Sequence, residues 1–157
     1  MNCKSEVNRL SEAVWQDSYC AEDTFQIGYK LALQAKPGDV FCLIGDLGVG
    51  KTVFSQGFGA GIGVQEPINS PTFTIVQVYG EGRLPFYHFD VYRLAEEEEL
   101  FEIGFDEMID SEGVSLIEWA NRIPGSLPPH YKEIVIEKDL KQGFDYRRIT
   151  IVEIGAK

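Results

Sequence analysis

Residues Gly45 to Thr52 read GDLGVGKT. A glycine, four further positions and then Gly50-Lys51-Thr52 is the spacing of a phosphate-binding loop. Each residue type has a chemical reason. The glycines, among them Gly45, Gly48 and Gly50, let successive backbone N–H groups turn inward as a nest for an anion. A side chain there would stand where the phosphates go. A helix opening near Lys51 adds the positive end of its dipole. The Lys51 ammonium is expected to reach the outer phosphates, and the Thr52 hydroxyl to bind Mg2+.

Such a magnesium ion usually takes a carboxylate from a neighbouring strand end. Two positions qualify. Asp90 follows LPFYHF and Glu118 follows VSLI, each an apolar strand closing on an acid. Spacing alone does not choose between them. Ser70-Pro71-Thr72 reads either as a turn with Thr72 opening a strand or as a loop presenting Thr72 to a terminal phosphate. His88, in YHFDVYRL, reads more simply as a residue that packs or holds the strand end than as a base. Arg93 balances Asp90 or contacts a partner. Trp119 belongs either to the core or to the nucleotide's surroundings.

The elements that must position these groups follow from periodicity. Glu22 to Ala35 has Phe25, Gly28, Leu31 and Ala32 on one face, which predicts a helix. Lys36 to Asp39 is a turn, and Val40 to Ile44 a buried strand leading into the glycine loop. Lys51 to Gly61 is a helix, with Gly59, Gly61 and Gly63 expected to end it. Phe73 to Tyr79 and Leu84 to Val91 read as strands around a Gly80–Arg83 hairpin turn. Leu94 to Phe101 is a helix, and a helical turn is expected after Gly104. Val114 to Glu118 is a buried strand, and Ile123 to Pro129 a proline-rich loop. Ile134 to Glu137 and Arg148 to Ile154 form a C-terminal antiparallel pair. The first 20 residues carry little pattern beyond a short edge strand at Ala13 to Gln16. The expected architecture is a single α/β domain over residues 1–157, a P-loop fold whose mixed, partly antiparallel sheet is flanked by helices.

Composition agrees. A chain of 157 residues with 44% hydrophobic residues can bury a core without disulfides. Its 3 cysteines, Cys3, Cys20 and Cys42, are scattered, with no zinc spacing. The N-terminal stretch lacks a signal-peptide apolar region. No apolar run approaches the roughly 18 residues of a membrane span. The expected compartment is the reducing cytoplasm. A net charge of −11 argues against general nucleic-acid binding. From Glu96 to Glu112 there are acids and no base, which reads as a solvated face or as a docking surface for a basic partner.

The loop alone leaves several functions open. Without an Asn-Lys-x-Asp segment a guanine-specific reading is disfavoured. A small-molecule or nucleoside kinase needs only the loop and a carboxylate base, for which Asp90 is the candidate, but the arginines after the loop (Arg83, Arg93, Arg122, Arg147, Arg148), which would hold both substrates, are not grouped as a lid. A nucleotide-gated binding module without turnover is the third reading.

GDLGVGKT, NSPTFTIVQVY, YHFDVYRL and LIEWA, in that order from about Asp23 to Ile123, resemble the bacterial TsaE family. SPTF and HFDVYR are its distinctive segments. The resemblance implies an ATPase that assists threonylcarbamoyl modification of tRNA adenosine. TsaD-like and TsaB-like proteins are the implied partners, with tRNA met mainly through them. It places ATP phosphates on Gly48 to Val53, including Val49 and Val53, where alanine and threonine are common in the family. It places Mg2+ on Thr52 and Glu118, and gives Thr72 and Asp90 catalytic roles beside Lys51. Trp119 and the turn from Ala21 to Thr24 are implied to lie against the nucleotide.

Overall fold

The computed structural model describes residues 8–10 and 13–155, so Cys3 lies outside the described residues. In chain order the elements are β1 (Asn8–Leu10), β2 (Ala13–Ser18), α1 (Ala21–Leu33), β3 (Val40–Ile44), α2 (Lys51–Ile62), β4 (Val76–Tyr79), β5 (Phe86–Asp90), α3 (Glu98–Glu102), α4 (Phe105–Ile109), β6 (Val114–Glu118), β7 (Tyr131–Lys138) and β8 (Arg147–Ile154). The strands form one sheet in the order β1-β2-β8-β7-β3-β6-β5-β4. β3 lies parallel to both β6 and β7, and β5 parallel to β6. The outer pairings are antiparallel. The sheet is mixed, as the sequence predicts.

The central strand shows why. VFCLI is apolar at every position because helices cover both faces of a parallel region. Phe41 and Leu43 face one core with Phe54, Phe58, Leu116 and Ile134. Val40 and Cys42 face the other, with Phe89, Leu100, Phe105 and Ile117. Burial, reinforced by Glu133, pushes the Cys42 thiol up to about 12, as suits a small core residue.

α1 and α2 pack backbone against backbone. A β-carbon on Gly57 would collide with the Phe25 carbonyl, and one on Gly28 with the Phe54 carbonyl. Gly59 and Gly61 therefore do not end α2. They lie inside it against Ile68 and Tyr29, and Gly63 alone closes it in the left-handed conformation.

Several boundaries differ from the periodicity, among them β7, which starts at Tyr131 rather than Ile134. β4 starts at Val76 rather than Phe73, because Ile75 takes a positive φ of 69° and its N–H returns to the Pro71 carbonyl. A β-branched residue there is an outlier that surrounding contacts must hold. β5 is shorter than Leu84 to Val91. The helix expected from Leu94 begins at Glu98, after a turn in which the Leu94 N–H bonds the Val91 carbonyl. β2 extends the expected edge strand, and the short strand β1 was not foreseen.

Candidate functional site

Three strand ends meet at one edge of the sheet. β3 runs out at Ile44 into the glycine loop, and Leu43 is in register with Glu118. Glu118 is in turn in register with Asp90 on β5. Neighbouring residues on parallel strands share a face, so the two carboxylates stand side by side opposite the start of α2. They are 2% and 4% exposed, which a lone carboxylate would not tolerate.

Asp90 is held on both oxygens. Ser70 Oγ donates to Oδ2 at 2.8 Å, Thr72 Oγ1 at 3.4 Å, and the Tyr92 N–H donates to Oδ1 at 3.0 Å. Thr72 carries one hydroxyl proton, which serves either Asp90 Oδ2 or Ser70 Oγ, 3.1 Å away. The non-strand conformation of Thr72 to Ile75 is thus tied to this cluster. The Glu118 side chain makes one hydrogen bond among the described residues, with His88 Nε2 at 2.6 Å from its Oε2. Its Oε1 accepts no hydrogen bond among the described residues.

Lys51 is buried, and its ammonium donates to the Gly45 and Asp46 carbonyls at 2.5 and 2.8 Å. The ammonium also lies 4.2 Å from the centre of the Trp119 ring. Trp119 takes a left-handed φ of 62°, with its N–H on the Leu43 carbonyl. This backbone turn swings the indole across the loop, against Tyr92 at 4.7 Å. Burial lowers the Lys51 pKa from the ordinary 10.5, opposed by the charges of Glu118, Asp90 and Asp46.

Gly48, Gly50, Lys51, Thr52, Val53, Thr72, Asp90, Glu118 and Trp119 all line one cavity of about 380 Å³. Ala21, Thr24, Val49 and Val53 line a neighbouring cavity of about 150 Å³ that meets the first at Gly50 and Val53. Gly45 opens into neither. It faces a third space of about 770 Å³ on the far side of Leu47 and Trp119, and its carbonyl holds Lys51.

The cradle suits an anion. Gly48 and Gly50 have φ of +76° and +113°, and a β-carbon on either would meet nothing within 4 Å. α2 starts at Gly50 without a side-chain cap and without an acid in its first turn, so its leading N–H groups lack a protein acceptor there. The exposed Thr52 hydroxyl and the uncommitted Glu118 oxygen are hard donors of the kind Mg2+ takes. Among the described residues no three His, Cys, Asp or Glu side chains gather to hold a metal.

The family model described as threonylcarbamoyl adenosine biosynthesis protein TsaE matches residues 18–149. The chain belongs to the TsaE family. The tRNA threonylcarbamoyladenosine biosynthesis protein TsaE of Bacillus subtilis is 47% identical over 134 residues, covering 85% of this chain and 82% of that protein. The TsaE protein of Treponema pallidum is 45% identical over 113 residues, 72% of this chain and 83% of that one. The crystal structure of Bacillus subtilis YdiB aligns with a TM-score of 0.79 at 38% identity, covering 95% of this chain and 90% of that one. The TsaE match reaches through β7 into β8, beyond the Ile123 limit of the distinctive segments.

Several site residues escape sequence reasoning. Ser70 shares the Asp90 oxygen with Thr72, and its place two residues earlier was the available signal. Tyr92 reaches Asp90 through its backbone, which no side-chain pattern announces. Arg147 comes from the distant β8. Its Nε donates to the Val49 carbonyl at 2.7 Å, and it lines the small cavity with Thr24.

Proposed function

We propose that this chain is an ATP-binding and ATP-hydrolysing accessory subunit for threonylcarbamoyl modification of tRNA adenosine, acting on a TsaB–TsaD-like partner complex. The supporting observation is the register that sets Asp90 and Glu118 together opposite Lys51 and Thr52, in a chain of the TsaE family. The backbone N–H groups of Gly48 and of Gly50 to Val53 receive the phosphates, while the Val49 N–H stays on the Asp46 carbonyl at 3.2 Å. Lys51 leaves the Gly45 and Asp46 carbonyls to contact the outer ones. Thr52 Oγ1 and Glu118 Oε1 would hold Mg2+, which when bound would supply positive charge against the phosphates. Asp90 keeps Ser70, Thr72 and the Tyr92 N–H in place and orders the attacking water rather than binding metal. The base enters the small cavity between Thr24 and Arg147. With a charge of −11 the chain leaves tRNA contact mainly to its partners.

Phosphate release from ATP, measured alone and with the TsaB–TsaD pair, tests this reading. The rate rises with the pair, and cells lacking the protein lose the tRNA modification. Equal rates with intact modification contradict it. Transfer of phosphate to a small molecule without partners makes the chain a kinase instead.

A further inference from the structure

His88 sits at the middle of β5, paired through the backbone with Gln77 on β4 and Leu116 on β6. Its position is therefore fixed from both sides. The ring is fully buried and lies nearly parallel to Phe86, centres 5.8 Å apart. Packing alone does not account for a histidine here. Its Nδ1 is buried with no hydrogen-bond partner among the described residues, a cost that leucine or phenylalanine would not carry. A carboxylate oxygen can only accept, so Nε2 carries the hydrogen and points it at Glu118 Oε2. The imidazole thus makes a single directional bond, and that bond fixes one oxygen of the acid whose other oxygen remains uncommitted.

We infer that His88 is a positioning residue that holds the Glu118 carboxylate in one orientation, with Oε1 left for the Mg2+ of the bound nucleotide. The inference rests on the nucleotide reading above. Partners of this kind around a metal ligand set its geometry, and their loss typically costs about 10- to 100-fold in metal affinity. The group need not change its protonation for this. A neutral amide at the same reach serves as well. Glutamine places its amide nitrogen as many bonds from Cβ as Nε2 of histidine, whereas asparagine stops one bond short.

The experiment is calorimetric titration of Mg2+ into protein saturated with ADP, for wild type, His88→Gln, His88→Asn and His88→Phe. His88→Gln is expected to stay within about threefold of wild type, and His88→Asn and His88→Phe to bind Mg2+ about tenfold more weakly or worse. ADP affinity without Mg2+ stays unchanged in all four. His88→Phe binding Mg2+ as tightly as wild type overturns the inference in favour of packing. Loss of Mg2+-free ADP affinity in step with Mg2+ affinity also overturns it, since the whole site has then moved. If His88→Phe fails to fold, equal Mg2+ affinity in the Gln and Asn variants overturns it. A wild type that binds no ADP at all overturns the nucleotide reading, and this inference with it.

Discussion

Lys51 is subject to two opposed influences. Burial favours its neutral form, while Glu118, Asp90 and Asp46 favour the ammonium, and the first is larger. The folded chain therefore holds fewer protons than the unfolded one just below pH 10.5, and this group's contribution to stability rises with pH through that window. Phosphates need the ammonium, so ADP affinity is expected to fall as pH climbs toward 10.5. Calorimetry across alkaline pH checks this, and a Lys51→Met variant, already weak, should show no such fall. The two carboxylates separate by variant. Glu118→Gln should lose Mg2+ dependence, whereas Asp90→Asn should keep Mg2+ binding and lose roughly 100-fold or more in turnover. A Mg2+ titration unchanged in Glu118→Gln would move the metal to Asp90. At this scale GDLGVGKT, Asp90 and Glu118 were readable because each residue type has its own chemistry at a strand end. The contacts of Ser70 and His88 were not, because serine and histidine also occur as turn and core residues, and only the structure shows their bonds to Asp90 and Glu118.

At the scale of elements, the position of α2 depends on its glycines. Ordinarily Gly→Ala inside a helix stabilises by about 1 kcal/mol. Gly57→Ala should instead destabilise, by about 2 kcal/mol, because the new methyl meets the Phe25 carbonyl of α1. Urea unfolding gives the sign directly, and stabilisation would show that the helices can separate freely. The same close approach, at Tyr29, explains the helical Gly61, while Gly59 makes room for Ile68, and α2 runs past both. β4 erred the other way. FTIVQVY alternates like a strand, but Asp90 draws Ser70 and Thr72 toward it, and Ile75 turns the chain out of the sheet. Alternation reports local preference, and a buried carboxylate outweighs it.

Across the whole molecule, strand order is what brings the site together. No local pattern states that β3 lies between β6 and β7, or that β8 returns to place Arg147 on the loop. The acidic segment from Glu96 to Glu112 is largely solvated, on and around α3 and α4. Glu97 and Glu99 are half-buried, and Glu97 accepts a hydrogen bond from Ser126. No helix among the described residues is long and apolar enough to cross a membrane. In the function proposed above, the Gly45–Thr52 loop holds the phosphates of ATP, with Lys51 as their cation. Titrating ATP with Mg2+ into wild type and Lys51→Ala by calorimetry tests it most directly. Saturable one-site binding by wild type, lost in a variant that keeps its unfolding midpoint, is the predicted result. No binding by wild type, or equal binding by Lys51→Ala, would contradict it.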